Sequence, residues 1–225
     1  VPQKMLNAVL KYQETTSEQV SLPEEFKSST QWIAQTQAYR LYTLAKAGRA
    51  NIGAMNILRY YRHLNITSAH MLAAAYALIG KKEIAKKLVA NKELTIKPYA
   101  ETGYTYGSHV RDLAMMAEAQ QIIGNVDIHA QLIKQIGQEM NSRRWYSTQT
   151  TAYALLSLGK YLAVYKADEF KYSYAIHGGN QTAETSTKPS VQKIVPVENT
   201  DQKSIWVRNT SKAVLFVKFV RFEDT

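Results

Sequence analysis

The first 165 residues contain three glycines, Gly48, Gly80 and Gly124, that each directly follow an apolar stretch. Before each glycine, apolar side chains recur at steps of three and four, which is the period of an α-helix. Glycine readily adopts the left-handed conformation that ends many helices. We therefore predict helices that stop at these three positions and repeat along the chain as degenerate helical hairpins.

The same periodicity sets the limits of the predicted helices, and polar residues before them supply N-caps. Thr67 or Ser68, Ser108 and Ser147 each precede an apolar run and carry a hydroxyl that can accept a backbone N–H bond. Residues 14–30, which are polar and contain Pro23, and residues 93–107 are predicted loops. The predicted helical segments are 3–13, 31–47, 52–63, 71–79, 81–90, 113–123, 126–140 and 151–163, and the caps place the starts of three of these helices a few residues earlier.

The predicted helices are of two kinds that alternate along the chain. Segments 71–79, 113–123 and 151–163 are apolar on most sides, whereas 81–90 and 126–140 have one apolar face. A helix that is apolar all round must be covered on most sides, and a one-sided helix can lie outside it. Two helical layers satisfy both needs, so we predict a partial α/α toroid. An open solenoid alternates less strongly, because its inner face is solvated.

The period changes from helical to alternating after about residue 166. Strands are predicted at 170–176, 191–197, 204–208 and 213–222, with a turn at Gly178-Gly179-Asn180. So few strands make an incomplete β-sandwich. The predicted fold class is mainly α, with the partial toroid at 1–165 and the start of a β-sandwich-type domain at 166–225.

The chain is basic, with a formal net charge of +10, and it contains no cysteine. Residues 1–165 carry +8 and residues 166–225 carry +2. This charge suits an acidic partner, a nucleic acid or an anionic membrane surface, or it is simply a solvated face, because the lysines and arginines come as scattered pairs. Disulfides and cysteine-based zinc sites are excluded, and no apolar run reaches the ~18 residues of a membrane span.

Few residues suggest chemistry. None of the five histidines pairs with another at a spacing of three or four residues, and neither a G-x-S-x-G nor a phosphate-binding glycine motif is present. His70 and His109 each lie at the start of a predicted apolar helix. They are interpreted either as ligands or bases at the rim of the toroid or as ordinary helix-start residues.

Two further groups have both a functional and a structural interpretation. Arg111-Asp112 is either an anion grip or a structural ion pair, and the nearby loop tyrosines either bind sugars or peptides or pack the loop onto helix ends. Trp145-Tyr146-Ser147 is interpreted as an aromatic anchor followed by a helix N-cap. We therefore predict no catalytic, cofactor-binding or metal-binding residue. The loop tyrosines are Tyr99, Tyr104 and Tyr106.

Four segments, in order, resemble the α-2-macroglobulin family of bacteria. They are YRLYTLAKAG at 39–48, MLAAAYALIGKK at 71–82, YGSHVRD at 106–112 and WYSTQTTAY at 145–153. The segment VRNT at 207–210 is similar to the strand-rich region that follows the toroid in that family. The resemblance implies the C-terminal half of a thioester-like domain followed by the start of a β domain, and the first residues look like a cut from inside a longer protein.

The resemblance also implies a function. Members of the family are large extracytoplasmic proteins, of the periplasm or cell envelope, that inhibit endopeptidases by trapping them. Some carry a reactive thioester in a C-x-E-Q motif; here Thr16 stands in place of that cysteine before Glu18-Gln19, so the motif is not carried over. The implied partners are the remaining domains of the parent protein and target proteases. No enzymatic activity, cofactor, nucleic acid or membrane span is predicted for this chain.

Two other functions compete with this hypothesis. A helical-repeat adaptor that binds peptides needs a solvated concave face lined with polar residues. An α/α-toroid enzyme, such as a lyase or a terpenoid cyclase, needs acid/base pairs or metal ligands in its centre. The apolar helices here carry almost no carboxylates, which favours the structural fragment over the enzyme.

Overall fold

A computed structural model describes residues 2–24, 31–90, 92–103, 106–142, 144–164, 170–176, 182–186, 191–192, 205–210, 215 and 217. The chain divides into two compact units, Val1–Ser157 and Leu158–Thr225. The predicted fold class, mainly α with a small incomplete sheet, is confirmed. The predicted domain limits, 1–165 and 166–225, stay a prediction.

The described residues form eight helices, close to those that the periodicity predicts. None of them is long and apolar enough to cross a lipid bilayer. The helices are α1 Gln3–Gln19, α2 Gln31–Lys46, α3 Ile52–Arg59, α4 Ile66–Leu78, α5 Lys82–Val89, α6 His109–Ile123, α7 Val126–Met140 and α8 Thr148–Val164.

The three glycines end helices as predicted. Gly48, Gly80 and Gly124 have φ angles of 73°, 79° and 88°, all in the left-handed region. After each glycine, the next backbone N–H donates to a carbonyl five residues back, as from Lys81 to Tyr76 at 2.9 Å. This pattern satisfies carbonyls at the helix end that would otherwise lack a partner.

The helix starts depend mainly on asparagine. Asn51, Asn65 and Asn125 each accept a hydrogen bond from the backbone N–H three residues later. The prediction of Thr67 or Ser68 as the cap of α4 is therefore wrong, because Asn65 caps that helix and both hydroxyl residues lie inside it. The predicted caps of α6 and α8 are confirmed: the Ser108 and Ser147 hydroxyls accept from backbone N–H groups at 3.1 and 3.2 Å.

Helix α1 is longer than predicted, since it continues through Gln19 where a loop is expected from residue 14. Polar contacts stabilise this last part. The Gln37 side chain donates to the Ser17 carbonyl at 2.9 Å, and the Asn51 side chain donates to the Ser17 hydroxyl at 3.1 Å. Helix α3 is shorter than predicted and ends at Arg59.

The core of the first unit lies around α4. This helix is buried from Thr67 to Ala77 and packs against α2, α3, α5 and α6. Helix α6 is also buried on most sides. The predicted covering of both apolar helices is confirmed.

Helix α8 departs from that expectation. Leu155 and Leu156 are 58% and 53% exposed, although Ala154 and Ser157 are buried. The neighbours of α8 in the first unit reach one side of it, through Tyr39 of α2 and Ser108 of α6. The opposite side of α8 therefore faces solvent.

The second unit contains a three-stranded antiparallel sheet with the order β2-β1-β3. The strands are β1 Phe170–Ile176, β2 Thr182–Ser186 and β3 Ile205–Asn209. Tyr172 of β1 lies opposite Glu184 of β2, and its hydroxyl donates to that carboxylate at 2.6 Å. This bond, with burial, raises the pKa of Tyr172 to about 12.

Strand β1 is confirmed as predicted, and β3 is shifted by one residue from the predicted 204–208. Strand β2 was not predicted, because its sequence is mostly polar. Residues 191–192 are not in a strand. The rest of the predicted strand 191–197, the turn at 178–180 and most of the strand 213–222 lie outside the described residues.

Candidate functional site

The first turns of α2, α4 and α6 meet around one buried carboxylate, that of Asp112. Five hydrogen bonds reach it, from three helices and the loop before α6. We call these residues the Asp112 cluster. Oδ1 accepts from Gln35 Nε2 at 3.1 Å and from Arg111 Nε and Nη2 at 3.2 and 3.0 Å, and Oδ2 accepts from Thr67 Oγ1 at 3.1 Å and the Tyr99 hydroxyl at 2.7 Å.

The cluster reaches α8 through Arg111. The Arg111 Nη1 atom donates to Gln149 Oε1 at 3.4 Å. Beside it, the Ser108 and Thr150 hydroxyls lie 2.8 Å apart, and both residues are buried. Polar contacts at one end of the unit thus join the starts of all four helices.

The surroundings of the Asp112 carboxylate supply positive charge. It lies in the first turn of α6, where the helix dipole stabilises negative charge, and the Arg111 guanidinium adds an opposite charge. Burial, together with the neighbouring Asp112, raises the pKa of Tyr99. The phenol therefore stays protonated and remains a donor to the carboxylate.

Arg111 and Asp112 were singled out as either an anion grip or a structural pair. Their side chains are 3% and 5% exposed and form an ion pair at 3.0 Å. A guanidinium that is buried and already paired with a carboxylate has little capacity left for an outside anion. The geometry is that of a structural pair, which fixes the position of helices and performs no evident chemistry.

The two candidate histidines are buried and contact different groups. His70 Nδ1 donates to the Ile66 carbonyl at 2.8 Å, and burial lowers the pKa of His70 to about 4. His109 Nε2 lies 3.2 Å from the Glu139 carboxylate, and its Nδ1 faces the Tyr99 carbonyl at 3.4 Å. Within the described parts of the chain, no three His, Cys, Asp or Glu residues come together as a metal site requires.

The two described loop tyrosines, Tyr99 and Tyr106, have different surroundings. Tyr99 belongs to the Asp112 cluster, whereas Tyr106 is exposed and has a φ angle of 49°, unusual for a residue other than glycine. Tyr104 lies outside the described residues. These positions support packing of Tyr99 onto the helix ends and leave sugar or peptide binding as a prediction.

The segment 145–147 is partly as predicted. Trp145 is 87% exposed, so its interpretation as an aromatic anchor is wrong. The neighbouring Tyr146 is the aromatic anchor instead, since its hydroxyl donates to the Glu139 carbonyl, at the end of α7, at 2.7 Å. Ser147 then caps α8.

A cavity of about 230 Å³ lies away from the Asp112 cluster, between the end of α1, α2 and α3. Glu18 lines it, and Thr16 nearby donates its hydroxyl to the Tyr12 carbonyl at 2.8 Å. Thr16, Glu18 and Gln19 form the last turn of α1, so the partial match to the C-x-E-Q motif is ordinary helix.

Three members of the Asp112 cluster and its extension were not predicted: Gln35, Thr67 and Gln149. Gln35 and Thr67 are 77 and 45 residues from Asp112 along the chain. One signal was available for Thr67, because it is a polar residue in the first turn of a helix that is mostly apolar, where a buried polar side chain needs a partner.

Comparison with solved structures identifies relatives of this fold. Native α-2-macroglobulin from Escherichia coli, spanning domain MG7 to the C-terminus, matches 93% of this chain with a TM-score of 0.65 at 17% identity. Salmonella α-2-macroglobulin reacted with methylamine matches the same share with a TM-score of 0.64 at 17% identity. The Escherichia coli protein activated by porcine elastase matches with a TM-score of 0.59 at 18% identity.

This chain shares its fold with part of the bacterial α-2-macroglobulins. The predicted resemblance is thereby confirmed at the level of the fold. The chain spans 31%, 13% and 18% of the length of those three α-2-macroglobulin structures. No protein-family model matches it, and no curated protein sequence matches it.

Proposed function

We propose that this chain is a scaffold segment of a larger bacterial α-2-macroglobulin-like protein that traps proteases, with no catalysis of its own. The observation that carries the proposal is the structural match over 93% of the chain to α-2-macroglobulins from two bacteria. In the proposed parent protein, α1–α8 are the second half of an α/α toroid and the strands begin a β domain. The proposed location is extracytoplasmic, in the periplasm or cell envelope.

Exposed apolar faces support a larger assembly. On α1, the side chains of Met5, Val9 and Tyr12 recur at helical spacing and are all exposed. On α8, Leu155 and Leu156 are exposed side by side. Clustered apolar side chains on a surface usually mark contacts with other protein. We assign these two faces to contacts with the remaining domains of the parent protein.

The geometry does not favour the two competing functions. An adaptor needs a solvated polar face, but the helices expected to line it, α4 and α6, are buried. A toroid enzyme needs reactive groups open to a substrate, but the carboxylate of Asp112 is buried and already accepts five hydrogen bonds. The Asp112 cluster is therefore proposed to act as a fixed joint between helices.

A protease-protection assay with the full-length parent protein tests the proposal. Elastase or trypsin is mixed with the protein, and hydrolysis of casein is compared with hydrolysis of a small chromogenic peptide. A trapped protease should lose access to casein while it keeps its activity on the peptide. Equal loss of both activities would indicate an active-site inhibitor, and loss of neither would indicate no trapping, so either result contradicts the proposal.

A matched pair of variants tests the contribution of this segment. Leu156 of α8 and Val126 of α7 are equally exposed, at 53% each. Leu156→Arg should abolish casein protection, because it places a charge in the proposed domain contact. Val126→Arg should keep protection, since Val126 lies outside both apolar faces. Protection that survives Leu156→Arg would remove α8 from the trapping assembly.

A further inference from the structure

The positive charge of the first 165 residues is concentrated in one part of the sequence. Residues 46–100 contain ten Lys or Arg and two Asp or Glu, which gives a net charge of +8. Residues 1–45 contain four of each sign, and residues 101–165 contain five of each, so both flanking parts are neutral. The whole excess therefore lies between the end of α2 and the loop after α5, and α4 itself carries no charge.

Four of these ten cations lie on or beside α5. This helix packs against α4 through Ala85, which is buried, while Lys82, Lys86 and Lys87 are exposed. At 3.6 residues per turn, these three lysines fall within an arc of about 140° on the solvent side. We call them, with the adjacent exposed Lys81, the α5 lysine face.

The charges of this face are little compensated within the chain. Lys86 lies 3.5 Å from Glu83, an exposed pair whose attraction is weak in water. No described acidic residue forms an ion pair with Lys81, Lys82 or Lys87. By contrast, Lys46 and Arg49, at the start of the basic segment, pair with Glu118 and Glu14.

The end of α3 adds a further cation and an aromatic ring to the basic segment. Burial raises the pKa of the Tyr76 hydroxyl of α4, and Arg59 opposes that rise. Arg59 lies 5.3 Å from the centre of the Tyr60 ring, which is 77% exposed.

We propose that the α5 lysine face is a docking surface for an anionic phospholipid bilayer. Lysines near such a surface are attracted to its anionic headgroups. The proposal is independent of protease trapping, because it concerns a surface away from the Asp112 cluster and from the apolar faces of α1 and α8.

A bilayer fits this face better than a nucleic acid or a folded protein does. The cations of α5 are all lysines, which act as point charges and lack the planar fork with which arginine reads base edges. An exposed row of such point charges suits a broad anionic surface more than a shaped partner.

Vesicle sedimentation with the full 225-residue chain tests the proposal. Vesicles of phosphatidylcholine alone are compared with vesicles that contain about 30% phosphatidylglycerol, an anionic lipid. The chain should bind the anionic vesicles alone and dissociate from them as salt is raised. The triple variant Lys82→Gln, Lys86→Gln, Lys87→Gln should bind about 100-fold more weakly, at about five-fold per lysine.

The matched control removes the same charge elsewhere. Lys4, Lys11 and Lys134 are exposed lysines on α1 and α7, and their triple change to glutamine should weaken binding less than about three-fold, because salt screens charges beyond about 10 Å. Equal weakening in both triples would show a mere net-charge effect and overturn the proposal. So would equal binding to neutral vesicles, no binding to either vesicle, or binding to duplex DNA without binding to vesicles.

Discussion

Helices α4 and α8 are similar in sequence character but differ in their surroundings. Both are apolar on most sides, with runs such as 71–79 in α4 and 152–158 in α8. Yet Leu72 of α4 is fully buried, whereas Leu156 of α8 is more than half exposed. The composition of a helix therefore indicates how much of its surface should be buried. The elements that pack against the helix in this chain determine how much of that surface is buried.

The same contrast holds for polar contacts. Thr67 at the start of α4 donates directly to Asp112, whereas α8 reaches the cluster through the longer Arg111–Gln149 bond of 3.4 Å. Helix α4 is thus held by apolar and polar contacts together, and α8 is held on one side. We expect α4 and α6 to form the most stable part of the first unit.

Removal of the Asp112 carboxylate should have the largest effect on that stability. Asp112→Ala leaves the Arg111 guanidinium buried without its partner, so we expect a loss of about 3–5 kcal/mol in the free energy of unfolding. Urea denaturation measures this loss. In hydrogen exchange, α4 and α6 should lose more protection than α8.

Asp127 provides the matched control for this change. It also lies in the first turn of a 15-residue helix, α7, but it is exposed. Asp127→Ala should cost at most about 1 kcal/mol, which is the interaction of an exposed charge with a helix dipole. If the two alanine variants are equally stable, the Asp112 cluster does not hold the helices together.

A pair of leucine truncations tests the apolar side of the comparison. Leu72→Ala opens a cavity in a covered core and should cost about 3 kcal/mol. Leu156→Ala removes a side chain that is mostly in water, and it should cost less than about 0.5 kcal/mol in the isolated chain. Urea denaturation of both variants measures the difference, and equal costs would mean that α8 is covered as fully as α4.

Acid should weaken the α4 region through His70, whereas α8 contains no histidine. The pKa of His70 falls from its ordinary 6.5 to about 4 on burial, so the unfolded chain takes up the proton first. The contribution of neutral His70 to the free energy of unfolding is complete above about pH 6.5 and is lost as the pH falls towards 4. Between pH 7 and pH 5 this loss amounts to about 2 kcal/mol.

Denaturation at several pH values measures this effect. In His70→Leu, the difference between the free energies of unfolding at pH 7 and pH 5 should be smaller by about 2 kcal/mol. The control His63→Gln changes a partly exposed histidine beside Arg62 and should keep the full difference. An unchanged pH dependence in His70→Leu would show that this histidine is protonated in the folded chain.

Most of the helical fold could be predicted from the sequence, because helical periodicity and stop glycines are local signals. The errors arose where contacts between residues far apart in the sequence determine the local structure. The last turns of α1 are polar, and side chains of α2 and α3 stabilise them, so no local pattern marks them as helix. The cap of α4 was misplaced because Asn65, Thr67 and Ser68 are all suitable cap residues within four positions.

The candidate site was predicted only in part, for a similar reason. Arg111, Asp112 and Tyr99 are near one another in sequence, so their association could be anticipated. Gln35 and Thr67 join them only after α2 and α4 have packed beside α6. In the segment 145–147, sequence alone could not tell which of two adjacent aromatic rings, Trp145 or Tyr146, faces the protein.

The three glycines that reverse the chain have a consequence for protein chemistry. Nothing lies within 4 Å of the position that a Cβ atom would occupy at Gly48, Gly80 or Gly124. The handedness of the backbone, and not lack of room, therefore excludes ordinary residues there. A mirror-image residue such as D-alanine prefers the handedness that each of these positions has, and it would stiffen the denatured chain at three points that folding must otherwise restrain.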